Sequence, residues 1–242
     1  MNASDRRNLV ILADSLVVGG AERVLQALAE DLPGEGFSVR VGCLRGAGPV
    51  GAELREAGIA VDEGIARTPR NPLGMVPVAR YLARHDADIL YVLDHSNALW
   101  HGRLAAAWLQ LPQVCAVHRT GRADGSPSLG FADRLLGGLS RSVIAVSEGH
   151  GRYLCQQEGV ARTRVDVVYN GVDPARFATT DPSARSRFGL PETGFLWGMV
   201  AALRPEKNHE MALRVLGRAP GTGLAVIGDG ARAIPLRQLS RR

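Results

Sequence analysis

The chain has 242 residues, of which 45% are hydrophobic and 22% charged, a composition typical of a globular protein with a sizeable core and not of a disordered chain. Its three cysteines, Cys43, Cys115 and Cys155, form no C-x-x-C pair, which argues against a disulfide framework and a zinc site and favours a reducing cytoplasm. The formal net charge is +5 and the pI is about 9.6. Lys207 is the only lysine, so the positive charge comes from arginines. The excess of positive charge favours anionic ligands, but the arginines are scattered and not clustered, which argues against nucleic acid as the ligand.

The first apolar run, residues 9–13, is too short for the core of a signal peptide or for a membrane span. We therefore expect a cytoplasmic protein that is not inserted in a membrane. Its basic charge is compatible with peripheral contact with the anionic inner face of a membrane.

Apolar runs of strand length alternate with segments of helical period along the first 170 residues, a pattern typical of βα units. The predicted strands are 9–13, 38–44, 59–62, 89–93, 113–117, 142–146 and 164–169. The predicted helices are 21–32, 50–57, 73–84, 98–109, 130–139 and 148–158. Right-handed crossovers then give a doubly wound, mostly parallel, Rossmann-like α/β sheet, with its ligand site at the carboxyl ends of the strands.

A polar stretch over residues 178–194 separates this pattern from a new one. Strand, helix and strand are predicted at 195–203, 209–216 and 223–227, followed by a helix over 234–242. The predicted domains are therefore 1–180, a linker at 181–194, and the start of a second Rossmann-like domain at 195–242. That last part is shorter than the roughly 100 residues such a domain needs, so we expect it to be incomplete.

Two adjacent glycines follow the first predicted strand and open the first predicted helix. At a helix N-terminus, Gly19 and Gly20 would allow backbone N–H groups to approach an anion closely. The alternative is that both glycines only permit a tight turn. The G-x-G-x-x-G pattern of dinucleotide-binding sites is absent.

Histidines follow two other predicted strands. His118 comes directly after residues 113–117, beside Arg119, where an imidazole could accept a proton or bind a sugar hydroxyl. His95 has the same position after residues 89–93. The alternative is a loop histidine packed against its neighbours, which is the more common situation for a single histidine.

A charged segment follows the first strand of the second domain. Arg204 and Lys207 would place positive charge beside the free N–H groups of the next helix, an arrangement suited to a diphosphate. A solvated, charged helix start is the alternative interpretation.

Six short strings, in this order and spacing, resemble the retaining GT-B glycosyltransferases of glycosyltransferase family four. They are Gly19-Gly20-Ala21-Glu22-Arg23-Val24, Val117-His118, Val143-Ile144-Ala145-Val146-Ser147, Tyr169-Asn170-Gly171-Val172-Asp173 with Phe177, Arg204-Pro205-Glu206-Lys207-Asn208-His209, and Ile227-Gly228-Asp229-Gly230. The resemblance spans nearly the whole chain.

The resemblance implies transfer of a sugar from a nucleoside-diphosphate donor to a lipid-linked or saccharide acceptor, with retention and without metal or cofactor. It implies that Gly19 and Gly20 lie near the donor phosphates and that His118 contacts the transferred sugar. It also implies that Lys207, with Arg204, stabilises the leaving diphosphate. His95 and Arg119 become candidates for the acceptor side.

Two departures from the family pattern affect this hypothesis. Ala201-Ala202 stands where the family often has a Gly-Arg pair, and the later pair of glutamates that binds the donor falls beyond Arg242. We therefore expect little or no transferase activity from this truncated chain alone. A non-catalytic module that binds an acceptor or a partner stays open as an alternative, as does another GT-B enzyme such as an epimerase or a phosphorylase.

Overall fold

The computed structural model describes residues 6–66, 72–93, 96–118, 136–178 and 181–240. The chain divides into two compact units, Met1–Gly171 and Val172–Arg242. The predicted positions His95 and Arg119 and most of the predicted helix 130–139 lie outside the described residues.

The first unit is built on one seven-stranded sheet in which all neighbouring strands are parallel. Its strands are β1 (Arg7–Ala13), β2 (Phe37–Cys43), β3 (Ala60–Asp62), β4 (Ile89–Leu93), β5 (Gln113–Val117), β6 (Ser142–Ala145) and β7 (Val165–Val167). The spatial order is β3-β2-β1-β4-β5-β6-β7. This arrangement confirms the predicted doubly wound α/β class.

Helices connect the strands and cover both faces of the sheet. They are α1 (Gly20–Asp31), α2 (Gly48–Glu56), α3 (Met75–Arg84), α4 (Ser96–Leu109) and α5 (Glu148–Gln156). None of the helices in the described part of the chain is long and apolar enough to cross a membrane.

The hydrophobic core has two parts, one on each face of the sheet, because successive side chains of a strand point to opposite faces. In β1, Val10 and Leu12 belong to the part that includes residues of α3, α4 and α5. Leu9, Ile11 and Ala13 belong to the part that includes residues of α1 and α2. β1 is therefore buried on both faces, as central parallel strands are.

The strand order reverses between β1 and β4, since β2 and β3 extend to one side of β1 and β4 to β7 to the other. In open parallel sheets, ligands bind outside the carboxyl ends of the strands at such a reversal. The loop after β1, which contains Gly19, begins at this position.

The second unit contains two parallel strands, β8 (Phe195–Val200) and β9 (Thr222–Ile227), which form a separate sheet. Its helices are α6 (Ala184–Arg187), within the predicted linker, α7 (His209–Leu216) and α8 (Ala233–Leu239). The predicted strand, helix and strand are confirmed, except that β8 ends at Val200 and not at the predicted Leu203. Large apolar side chains of the sheet are exposed, among them Phe195, Trp197, Val200 and Ile227.

The last strand of the first sheet is shorter than predicted. The apolar run suggested a strand to Tyr169, but β7 ends at Val167. The side chains of Val168 and Tyr169 are 54% and 65% exposed. The strand therefore ends where its apolar side chains become exposed, and the prediction of a strand to Tyr169 was wrong.

Candidate functional site

The loop after β1 ends in the two glycines predicted to approach an anion. Gly19 is the N-cap of α1 in an extended conformation, with φ −164° and ψ 168°, and no side chain caps the helix. Neither Gly19 nor Gly20 has positive φ. Glycine is therefore not required at either position for a left-handed turn. A Cβ added at Gly20 would meet no atom within 4 Å, so this side of the helix start is open.

Glu22 gives Gly19 a separate structural role. The Glu22 side chain is buried, with 6% of the residue exposed, and its Oε2 lies 2.4 Å from where a Cβ of residue 19 would be. A carboxylate in the first turn is stabilised by the positive end of the helix dipole. Gly19 thus makes room for Glu22, whereas Gly20 leaves the approach to the helix open.

Asp14 joins the end of β1 to the start of α4. Its Oδ1 accepts a hydrogen bond from the Ala98 backbone N–H at 2.8 Å, and its Oδ2 accepts one from Asn97 Nδ2 at 3.2 Å. Asp14 therefore caps a helix 84 positions further along the chain. This bond joins the residue that follows β1 to the first turn of α4, where the strand order reverses.

His118 lies where the sequence placed it, directly after β5, and its side chain is half-buried. It therefore shares the carboxyl edge of the sheet with Gly19 and Gly20. The other two predicted acceptor-side residues, His95 and Arg119, lie outside the described residues.

The charged segment of the second unit forms a short turn before α7. Pro205–Lys207 is one turn of 3-10 helix, and Asn208 follows in the left-handed region with φ 51°. Arg204 and Lys207 are both exposed, and neither side chain has a hydrogen-bond or ion-pair partner among the residues that the structure describes. No side chain caps α7. Arg204 and Lys207 therefore lie in the segment directly before α7, and their role at a diphosphate stays a prediction.

Two glycines after β9 pack against the segment after β8. A Cβ on Gly228, which has φ 155°, would lie 2.0 Å from the Ala201 carbonyl oxygen. A Cβ on Gly230, which has φ 153°, would lie 2.7 Å from the carbonyl oxygen of Leu203. The string Gly228-Asp229-Gly230 therefore requires glycine for conformation and for close packing, which the sequence showed only as a turn.

Two buried polar side chains of α4 were not predicted. Arg103 is 1% exposed, and its Nε donates to Ser140 Oγ at 3.1 Å. His101 is fully buried, and within the described ranges neither ring nitrogen has a hydrogen-bond partner. Burial lowers the pKa of His101, so its imidazole stays neutral. Both residues are buried in the interior of the first unit.

Together these features define an α/β protein with a Rossmann-like sheet and polar groups arranged at the carboxyl ends of its parallel strands. Residues 18–176 match Glycosyltransferase Family 4. Because this match spans more than half of the chain, the chain belongs to that family. The matched range includes Gly19, Gly20 and His118.

Individual relatives agree with this assignment. EpsF of Bacillus subtilis (strain 168), assigned by its name as a glycosyltransferase, is 28% identical over an alignment of 177 residues that covers 66% of this chain and 45% of EpsF. HepE from Anabaena, solved in complex with UDP-glucose, superposes with a TM-score of 0.81 at 23% identity, covering 97% of this chain and 65% of HepE. A glycosyltransferase from Rickettsia africae ESF-5 gives a TM-score of 0.78 at 16% identity, covering 98% of this chain and 64% of that one.

The two solved structures share the fold of this chain. The chain spans less than half the length of EpsF and less than two thirds of the length of either solved structure.

Proposed function

We propose that the complete protein transfers a sugar from a nucleoside-diphosphate donor to a lipid-linked or saccharide acceptor, with retention at the anomeric carbon. The observation that carries the proposal is the family match over residues 18–176, which includes the open helix start at Gly20 and the histidine after β5. The complex of HepE with UDP-glucose supports a nucleotide sugar as donor.

In this proposal each candidate residue has one role. The backbone N–H groups at Gly20 and the positive end of the α1 dipole bind the phosphates of the donor. His118 contacts the sugar that is transferred. Lys207 and Arg204 stabilise the negative charge that develops on the leaving diphosphate, and such electrostatic stabilisation is usually the largest single contribution to catalysis. We further propose that no metal ion or cofactor takes part, so that EDTA leaves the rate unchanged.

The decisive experiment measures binding of UDP-glucose and other nucleoside-diphosphate sugars to the complete protein, and its turnover with sugar acceptors. We expect binding of at least one donor, and where product forms, NMR should show the anomeric configuration of the donor. Absence of binding by every donor in the panel would contradict the proposal.

Lys207→Ala tests the assignment of the leaving-group cation. Loss of one such contact is expected to lower turnover of the complete protein by about a hundredfold. Arg218→Ala is the matched control, because Arg218 is also exposed and follows the opposite end of α7. Equal effects of the two substitutions would remove Lys207 from the site.

A non-catalytic binding module is the second candidate. It is favoured by the extent of the family match, which ends at residue 176, before Arg204 and Lys207. In that case the chain binds a sugar or a partner but shows no turnover with any donor. Turnover comparable to that of longer relatives would exclude this candidate.

Peripheral contact with a membrane on the cytoplasmic side belongs to the same proposal. The net charge of +5 supports attraction to anionic lipid. We expect the chain to sediment with vesicles of phosphatidylglycerol but not with phosphatidylcholine vesicles. Equal sedimentation with both would contradict an electrostatic contact.

A further inference from the structure

An ion pair joins the two helices that follow β8 and β9 in the second unit. Glu210, in the first turn of α7, accepts a hydrogen bond from Nη2 of Arg232, the N-cap residue of α8. Their side chains are 27% and 39% exposed. The pair is therefore partly shielded from solvent, where salt screens charges less than at an open surface.

Backbone hydrogen bonds join the two loops in which these residues lie. The Leu203 N–H donates to the Asp229 carbonyl oxygen at 2.8 Å, and the Arg232 N–H donates to the Leu203 carbonyl oxygen at 3.0 Å. Because β8 and β9 are parallel, both loops lie at the carboxyl edge of their sheet. The ion pair therefore lies at the edge that also carries the segment with Arg204 and Lys207.

The chain holds Lys207 close to Glu210. Asn208 and His209 lie between them, so their Cα atoms are at most about 11 Å apart. His209 is 1% exposed and anchors the start of α7 in the interior of the unit. The Debye length at 0.1 M salt is about 10 Å, so an unpaired carboxylate at residue 210 would act on the ammonium group and on an anion bound to it.

Glu210 carries a negative charge at neutral pH. A hydrogen bond from its own backbone N–H and the bond from Arg232 hold the pKa of this carboxyl below its usual value, although burial opposes the shift. Arg232 neutralises this charge. The Lys207 ammonium group, in contrast, has no ion-pair partner in the part of the chain that the structure describes.

Two other carboxylates belong to these loops. Glu206 directly precedes Lys207, but successive side chains of a 3-10 turn project about 120° apart. Asp229 Oδ1 accepts a hydrogen bond from the Gly230 N–H at 2.7 Å. Both carboxylates are exposed, and neither is paired with an arginine in the described ranges. Their effect on Lys207 is therefore the same with and without Arg232.

We propose that Arg232 neutralises Glu210 and thereby keeps Arg204 and Lys207 available to an anionic ligand, the diphosphate of the donor. Arg232 acts through Glu210 and is a positioning residue, not a ligand of the diphosphate. As a statement about a diphosphate site, this rests on the proposed function. As a statement about the charge that Lys207 experiences, it stands on the ion pair alone.

Single and double substitutions of the pair separate this role from a structural one. An unpaired carboxylate about 8 Å from a doubly charged diphosphate lowers its affinity about fivefold at the dielectric constant of water. Arg232→Gln should therefore weaken binding of UDP to the complete protein about fivefold, measured by calorimetry in 0.1 M salt. Glu210→Gln should not weaken it, and the double substitution should bind UDP as the unsubstituted protein does.

The reactivity of Lys207 gives a second measurement that needs no ligand. Only the neutral amine reacts with an acetylating reagent, and mass spectrometry of the peptide that contains Lys207 gives the rate. An unpaired carboxylate nearby favours the charged ammonium group, so Arg232→Gln should slow acetylation about twofold. Glu210→Gln should not slow it.

Two further substitutions are matched controls. Arg237→Gln removes another exposed arginine from α8, and Arg187→Gln leaves Asp181 without its ion pair at 2.8 Å in the same unit. Both variants should bind UDP and react with the acetylating reagent as the unsubstituted protein does.

Equal weakening of UDP binding by both single substitutions and by the double one would show a structural role and overturn the proposal. An unchanged rate of acetylation of Lys207 in Arg232→Gln would also overturn it. Failure of the proposed function is seen separately, as the absence of binding of any nucleoside-diphosphate sugar by the unsubstituted protein. In that case the acetylation rates still decide whether Arg232 neutralises Glu210.

Discussion

Replacing Asp14 by alanine is expected to lower the free energy of unfolding of the first unit by about 2–3 kcal/mol. The substitution removes the acceptor of the Ala98 N–H at 2.8 Å, in a bond to a charged group that is typically worth about 1.5–3 kcal/mol. It also removes the Asn97 bond at 3.2 Å. The ion pair with the exposed Arg45 adds little.

Urea unfolding followed by hydrogen exchange of α4 measures this loss. Asp88→Ala is the control, because Asp88 Oδ2 also accepts a backbone N–H, that of Asn8 at 2.7 Å, but at the exposed start of β1. That substitution should cost less than about 1 kcal/mol, since water can replace the lost partner. A loss for Asp14→Ala no larger than for Asp88→Ala would refute the idea that this buried cap ties β1 to α4.

Two further predictions concern stability. Gly228→Ala should destabilise the second unit by at least about 2 kcal/mol, because φ 155° is costly for alanine and its Cβ would lie 2.0 Å from the Ala201 carbonyl oxygen. Gly217→Ala is the control and should not destabilise the unit, because a Cβ at residue 217 would make only ordinary van der Waals contacts. Resistance to proteolysis distinguishes the two variants. Burial lowers the pKa of His101 in the folded state from 6.5. As the pH falls below about 6.5, His101 is therefore protonated in the unfolded chain before it is protonated in the folded chain. The free energy of unfolding decreases over this range by up to about 1.4 kcal/mol per pH unit. His101→Leu should flatten this dependence in urea titrations at several pH values, and an unchanged slope would contradict it.

Most of the fold could be predicted because central parallel strands are buried on both faces and appear as continuous apolar runs. The bounds of β4 and β5 agree with the prediction at both ends. The prediction failed at Val168 and Tyr169, where apolar residues are exposed. Whether an apolar side chain finds a packing partner at the sheet edge is a tertiary property that the local pattern does not contain.

The position of the candidate site could also be predicted, since residues that directly follow parallel strands meet at one edge of the sheet. This rule predicted that the loop containing Gly20 and the residue His118 lie at that edge. The burial of Glu22 against Gly19 and the cap from Asp14 to α4 depend on contacts that form only in the folded chain.

The apolar side chains exposed on β8 and β9 affect how the chain behaves in solution. Parallel sheets are normally covered on both faces, yet Phe195 is 61% exposed, Trp197 51% and Val200 79%. Phe195 and Trp197, whose ring centroids lie 5.0 Å apart, form such an exposed apolar surface, and surfaces of this kind favour self-association and attract chaperones. The yield and shelf life of the purified protein are therefore expected to depend on salt, detergent and protein concentration more than on its melting temperature.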